Sequence, residues 1–130
     1  MKKNWIKQHF LLVSASVLVL EGLIAGVALT QPDRYGAIAT SISGGWGYGY
    51  DYPTRKEAEQ KALKECAKSD CKVQVWFKNA CGAVAKNPEG IIGWGWAITP
   101  EQAQANALIE CGTGTCKIET WACTTRQSVQ

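Results

Sequence analysis

Histidine is almost absent from this chain. The single one, His9, falls near the N-terminus, within residues 1–28, and none follows it. That absence removes Ser-His-Asp and Cys-His catalysis in their common forms, together with most catalytic zinc sites. There is no C-x2-C knuckle, so the cysteines do not read as a structural zinc site either. Charge of one sign never accumulates. Beyond residue 28 there are 11 Lys plus Arg against 10 Asp plus Glu, interspersed, which is no footprint for nucleic acid. The stretch Gly44-Gly45-Trp46-Gly47-Tyr48-Gly49 lacks the Lys-Ser/Thr ending of a phosphate loop. Carboxylates alone could still run a glycoside hydrolysis. Asp51, Glu57, Asp70, Glu89 and Glu119 are dispersed, however, and each reads more simply as a turn, cap or surface residue. Glu65 and Glu110 recur, but beside cysteines at helix ends. The chain is expected to be no enzyme and to hold no cofactor or metal.

What is present begins with an export signal. Lys2, Lys3 and Lys7 precede an apolar run over residues 10–20, which Glu21 interrupts before residues 22–29 resume it. With small residues at Gly26-Val27-Ala28, residues 1–28 read as a secretory signal peptide. The alternative is an uncleaved signal anchor, since residues 10–29 are just long enough to span a bilayer. Glu21 is costly near a bilayer centre and favours cleavage. Membrane contact is expected only through this segment, if it is retained, and the rest is secreted or periplasmic. All six cysteines lie after it, an even number in a small chain, as in exported domains whose own core is barely large enough.

Past a linker at residues 29–34 the chain repeats itself. Tyr35-Gly-Ala-Ile-Ala39 returns as Cys81-Gly-Ala-Val-Ala85, and Gly45-Trp-Gly-Tyr48 as Gly93-Trp-Gly-Trp96. Thr54, Ala58, Ala62, Leu63, Glu65 and Cys66 return as Thr99, Ala103, Ala107, Leu108, Glu110 and Cys111. Cys71-Lys-Val73 and Trp76 return as Cys116-Lys-Ile118 and Trp121. Repeat one thus covers residues 35–80 and repeat two 81–123, with a tail at 124–130. Each unit reads as strand, glycine-aromatic hairpin, strand, helix and strand. Thr54-x-x-Glu57 and Thr99-Pro-x-Gln102 fit capping boxes. Ala58, Ala62, Leu63 and Cys66, and their counterparts, form an inner stripe on each helix. A cysteine in the last helical turn and another at the next strand's start are placed to bridge. Six cysteines allow fifteen connectivities. Repeat symmetry selects Cys66–Cys71 and Cys111–Cys116, which leaves Cys81–Cys123. The expected fold is α+β: two tandem ββαβ repeats forming a sheet, with two helices packed on it and three disulfides.

The Tyr-Gly-Ala-Ile-Ala opening, the Gly-Trp-Gly segments, the Ala-x3-Ala-x3-Cys helices and the following Cys resemble a family of exported bacterial domains, domain of unknown function 4189. The likeness covers about residues 35–123. It implies export, disulfides and this fold, and it brings no catalytic residues.

Aromatics are the remaining unusual feature. Alternate strand residues share a face, so Trp46, Tyr48, Tyr50 and Tyr52 are expected to form one aromatic ladder, with Trp94 and Trp96 in the matching place. The competing expectation puts Trp46 and Trp94 in the core, where Ala-rich helices leave room for bulk. Trp76 and Trp121 alternate with Val75 and Ile118 and are expected on the face away from the helices. Candidate binding residues are therefore Tyr48, Tyr50, Tyr52, Trp96 and Trp76. The leading function is a binding module for a cell-envelope glycan or peptide. A protein-interaction domain, such as an inhibitor or immunity-type partner of another exported protein, is the alternative, and a carboxylate-based envelope hydrolase is the weakest reading.

Overall fold

A computed structural model of the chain describes residues 30–128, so the signal-peptide reading of residues 1–28 lies outside the described residues. The elements run β1 (Tyr35–Thr40), β2 (Trp46–Tyr52), α1 (Arg55–Cys66) and β3 (Lys72–Lys78), then β4 (Cys81–Lys86), β5 (Ile92–Ala97), α2 (Pro100–Cys111) and β6 (Lys117–Cys123). The α+β class and the two ββαβ repeats are as expected. So are all three disulfides, Cys66–Cys71, Cys111–Cys116 and Cys81–Cys123.

Local chemistry sets the helix ends. The hydroxyl of Thr54 accepts a hydrogen bond from the Glu57 amide at 3.2 Å, and that of Thr99 from the Gln102 amide at 3.3 Å. Each satisfies one backbone donor that the first helical turn cannot. Both helices stop at a left-handed residue, Ala67 and Gly112, whose amides reach back to the carbonyls of Leu63 and Leu108.

One expectation needs correction: the strands do not join in a single sheet. They form two three-stranded antiparallel sheets, ordered β2-β1-β3 and β5-β4-β6. The reason is that the first strand of each unit pairs on both sides within its own unit. Neither β1 nor β4 keeps an edge for the other repeat, so the units meet face to face. Ile38, Val75 and Phe77 of one sheet share a core with Val84 and Ala122 of the other. The helices cover the outer faces, Ala58 and Ala62 on Ala37 and Ala39, Ala103 and Ala107 on Ala83 and Ala85. The layers run helix, sheet, sheet, helix.

Two glycine positions explain how closely these layers sit. A Cβ on Gly93 would lie 2.1 Å from the Cys111 amide nitrogen, and one on Gly47 2.3 Å from that of Cys66. The Gly-Trp-Gly segments therefore run on from the hairpin turns into the strands. Gly47, Gly93 and Gly95 lie within strands and let a helix backbone rest directly on them, while Gly44 and Gly45 belong to the turn before β2. Leu63 and Leu108, expected on the inner helix stripes, are each 38% exposed, because only alanine and cysteine fit that contact. Between the sheets the bulk comes instead from Phe77, whose ring fills the space beside both Gly36 and Gly82; a Cβ on either would lie 2.2 or 2.4 Å from it.

Candidate functional site

Because the glycines of β2 and β5 face the helices, the alternating aromatics must face the other way. Trp46, Tyr48 and Tyr50 project together from β2, and Trp94 and Trp96 from β5. The core expectation for Trp46 and Trp94 is corrected by their exposure. Both stand out in solvent, as do Tyr50 and Trp96, the latter 56% exposed, while Tyr48 is half-buried against the inter-sheet core. The contact between the two sheets includes residues of their outer strands, Val75 and Phe77 of β3 and Ala122 of β6, with Tyr48 and Ile92 packed at its margin.

The expected four-ring ladder is a three-ring one. Trp46 and Tyr48 stack with centroids 5.8 Å apart, and Tyr48 and Tyr50 lie 6.0 Å apart. Tyr52 leaves the row and packs toward the helix, beside Tyr35 and Ala37. Asp51 causes the break. Its φ of 64° is left-handed, a conformation that Asp tolerates better than most residues, and the pairing with β1 slips there. The bulge is held from outside, since the Asp51 carboxylate accepts a hydrogen bond from the Thr125 amide at 2.8 Å. A shallow groove of about 400 Å³ lies along this row, closed on the helix side by Lys61 and Glu65, which pair at 2.7 Å.

Trp76 also moves from its expected face. Val75 pairs with Ile38 and Val73 with Ala39, so Gln74 is an extra residue and the alternation reverses there. Val73 and Trp76 consequently share the helix side, while Val75 and Phe77 enter the core between the sheets. The Arg55 guanidinium stands 4.5 Å over the Trp76 ring, and Tyr35 stacks beside it at 6.5 Å. Such a cation over an indole face is attractive, and it holds the ring in place. Arg55 Nε also bonds Glu59 Oε1 at 2.6 Å.

Here a larger site opens. A cleft of about 770 Å³ runs along residues 73–78 of β3. Arg55 and Glu59 of α1 bound it on one side with Trp76, and Trp94 and Trp96 of β5 bound it on the other. Of the expected binding residues, the fold brings Trp76 and Trp96 into this one cleft. Tyr48, Tyr50 and Tyr52 line the separate groove on β2. Trp121 is exposed on the second sheet. Arg55, Glu59 and Trp94 were not among the expected site residues. The Arg55/Glu59 spacing of four marks a helical ion pair in the sequence, but nothing local announces that it roofs a cleft.

Several of the carboxylates are held in structural contacts. Glu57 Oε2 accepts from the Thr54 hydroxyl at 2.7 Å, and Asp70 accepts from the Ser41 hydroxyl at 2.7 Å and the Ile42 amide at 3.1 Å. The Ser41 bond holds the Asp70 carboxyl below the usual range. Glu65 is lowered by its bond from Lys61. Glu119, the extra residue of the matching bulge in β6, is half-buried, with Oε2 unpartnered, and burial pushes its carboxyl up. Among the described residues no His, Cys, Asp and Glu group could hold a metal ion. Three closed disulfides fit a protein outside the cytoplasm, where thiols oxidise and persist as bridges.

Fold and site together define a class: a duplicated, disulfide-closed α+β domain with tryptophans and tyrosines turned to solvent on its glycine-rich strands. The chain belongs to the family described as domain of unknown function (DUF4189), whose model matches residues 35–123. It is similar to the Mycobacterium tuberculosis protein Rv1269c, 56% identical over 61 residues, which are 47% of this chain and 48% of that one. It is 42% identical over 69 residues to the uncharacterized Mycobacterium tuberculosis protein Rv1813c, covering 53% of this chain and 48% of that one. These matches span about half the length of the curated relatives. The NMR structure of Rv1813c superimposes with a TM-score of 0.57 at 34% identity, over 77% of this chain and 83% of that one.

Proposed function

We propose that this protein is a secreted or periplasmic, non-catalytic binding module that holds an extended ligand of the cell envelope, a glycan or a peptide, on its outward aromatics. One observation carries the reading. The glycines of β2 and β5 are taken up by helix contact, and this turns Trp46, Tyr50, Trp94 and Trp96 outward, where about half of each residue remains open to solvent. Large rings exposed along two grooves are the usual material of a recognition surface, giving contact area at little entropic cost. Export is supported by the basic and apolar N-terminal sequence and by the disulfides. The non-catalytic reading is supported by the engagement of Asp33, Asp51, Glu57, Glu59, Glu65 and Asp70 in caps, turns and ion pairs.

The test is titration of the oxidised protein with soluble envelope glycan fragments and, separately, with extended peptides, following tryptophan fluorescence. Tyr50→Ala and Trp96→Ala serve as paired variants. Saturable binding that one of them weakens at least tenfold, with the fold intact, is the expected result. If neither ligand class binds and only a folded protein associates, one to one, the inhibitor-type reading replaces this one.

A further inference from the structure

We propose that the cleft beside β3 receives an extended, uncharged peptide segment as an added strand. This rests on the binding-module reading and gives that module a ligand class and a place. β3 pairs with β1 on one side, and among the described residues no strand pairs with the other. Such an edge presents a row of main-chain N–H and C=O groups to whatever lies beside it. What lies beside it is the cleft. Its walls include residues from both faces of β3: Trp76 under Arg55 and Glu59 on the helix side, Val75 and Phe77 with Trp94 and Trp96 on the other. A space lined from both faces of a strand sits alongside its edge, where an additional strand would be held between two walls.

The walls also state the chemistry of the occupant. Arg55 is already paired with Glu59 at 2.6 Å and stacked on Trp76, and Lys78 is paired with Asp33 at 3.0 Å. The charges of the cleft are matched internally, so a charged side chain would find no partner and would lose water. Trp94 and Trp96 instead favour apolar or aromatic side chains at alternate positions, those that face the sandwich. The strand run lining the cleft is residues 73–78, about 20 Å of extended chain, which suits a segment of about six residues. The same length argues against a second copy of this domain. Stable pairing of two folded domains needs about 800 Å² from each, more than one short edge supplies. Joining two β3 edges by a two-fold axis would also bring two Trp94/Trp96 walls beneath the same pair of strands.

The experiment uses the oxidised protein and terminally capped octapeptides with Val, Phe or Trp at alternate positions and Thr between them. The expected result is saturable binding that slows amide exchange in residues 73–78 at least tenfold and is weakened at least tenfold in W94A/W96A. N-methylation of alternate peptide amides along one edge should abolish binding, while the same change on the other edge should spare it. Should W94A/W96A lose the native circular dichroism spectrum, the N-methyl series decides alone. Peptide binding indifferent to N-methylation, or protection confined to Trp46, Tyr48 and Tyr50, overturns the added strand. So does β3 protection that appears with protein concentration and no peptide, which would make a second copy the occupant. Glycan binding without peptide binding removes this proposal and leaves the module reading standing. Binding of neither class removes both.

Discussion

Glu119 shows what one half-buried charge does to a small domain. The bulge in β6 leaves it without a strand partner, burial raises its carboxyl above the ordinary 4.5, and only Lys86 partly offsets that. A carboxyl raised on folding favours the folded state most when protonated. That advantage is complete below 4.5 and is lost as pH rises through the elevated value, leaving a penalty at neutral pH. Glu119→Gln should therefore raise the melting temperature at pH 7, and the gain should vanish near pH 4. Melts of both proteins across that range check it; a gain independent of pH would assign the effect to packing instead. Asp51 acts through geometry. Its left-handed backbone and its bond to the Thr125 amide serve one purpose, which is to send Tyr52 to the helix side and end the exposed row at Tyr50.

At the scale of elements, the decisive contact is between the two sheets. Phe77 and Ala122 occupy matching places in β3 and β6, and a single ring fills the space beside both Gly36 and Gly82. Phe77→Ala should cost about 3–5 kcal/mol, the usual range for emptying such a site. The double variant Phe77→Ala/Ala122→Phe should recover a good part of that, because Gly82 stands to Ala122 as Gly36 stands to Phe77. Urea denaturation of the three variants checks this, and a double variant no better than the single one would show that the two sites differ in shape. The sequence made the elements legible because they rest on local chemistry. Thr54 and Thr99 cap, Gly112 stops a helix, and cysteines five apart close on themselves. It did not make legible whether β1 would share an edge with the second repeat, since that depends on a pairing made within each unit. The bulges at Asp51 and Gln74 were invisible for a related reason: one extra residue reverses the facing of every side chain beyond it. Tyr52 and Trp76 therefore face other sides than simple alternation predicts, and the cleft, which needs both the reversal and the second sheet, is not legible in the sequence.

For the whole molecule, the disulfides divide into two kinds. Cys66–Cys71 and Cys111–Cys116 close loops of separation 5, whereas Cys81–Cys123 spans 42 residues and joins β4 to β6 where they pair. Loop-closure entropy assigns the long bridge about 4 kcal/mol and each short one about 2 kcal/mol. Cys81→Ala/Cys123→Ala should accordingly lower the midpoint of denaturation further than Cys66→Ala/Cys71→Ala. Comparison of the two in urea settles the order, and equal losses would mean that the packing of β4 on β6 already restrains the chain.

The single ring between the sheets has a consequence for how such a molecule could arise. Two separate, identical copies of one repeat, meeting about a two-fold axis, would carry the same side chain at both matching positions. Two phenylalanines would compete for the volume that one now fills, and two alanines would leave it hollow. Only after both copies stood in one polypeptide could one position keep the ring and the other give it up. The pairing of Phe77 with Ala122 is thus a mark of fusion: an asymmetry available to a covalent pair and closed to a symmetric dimer.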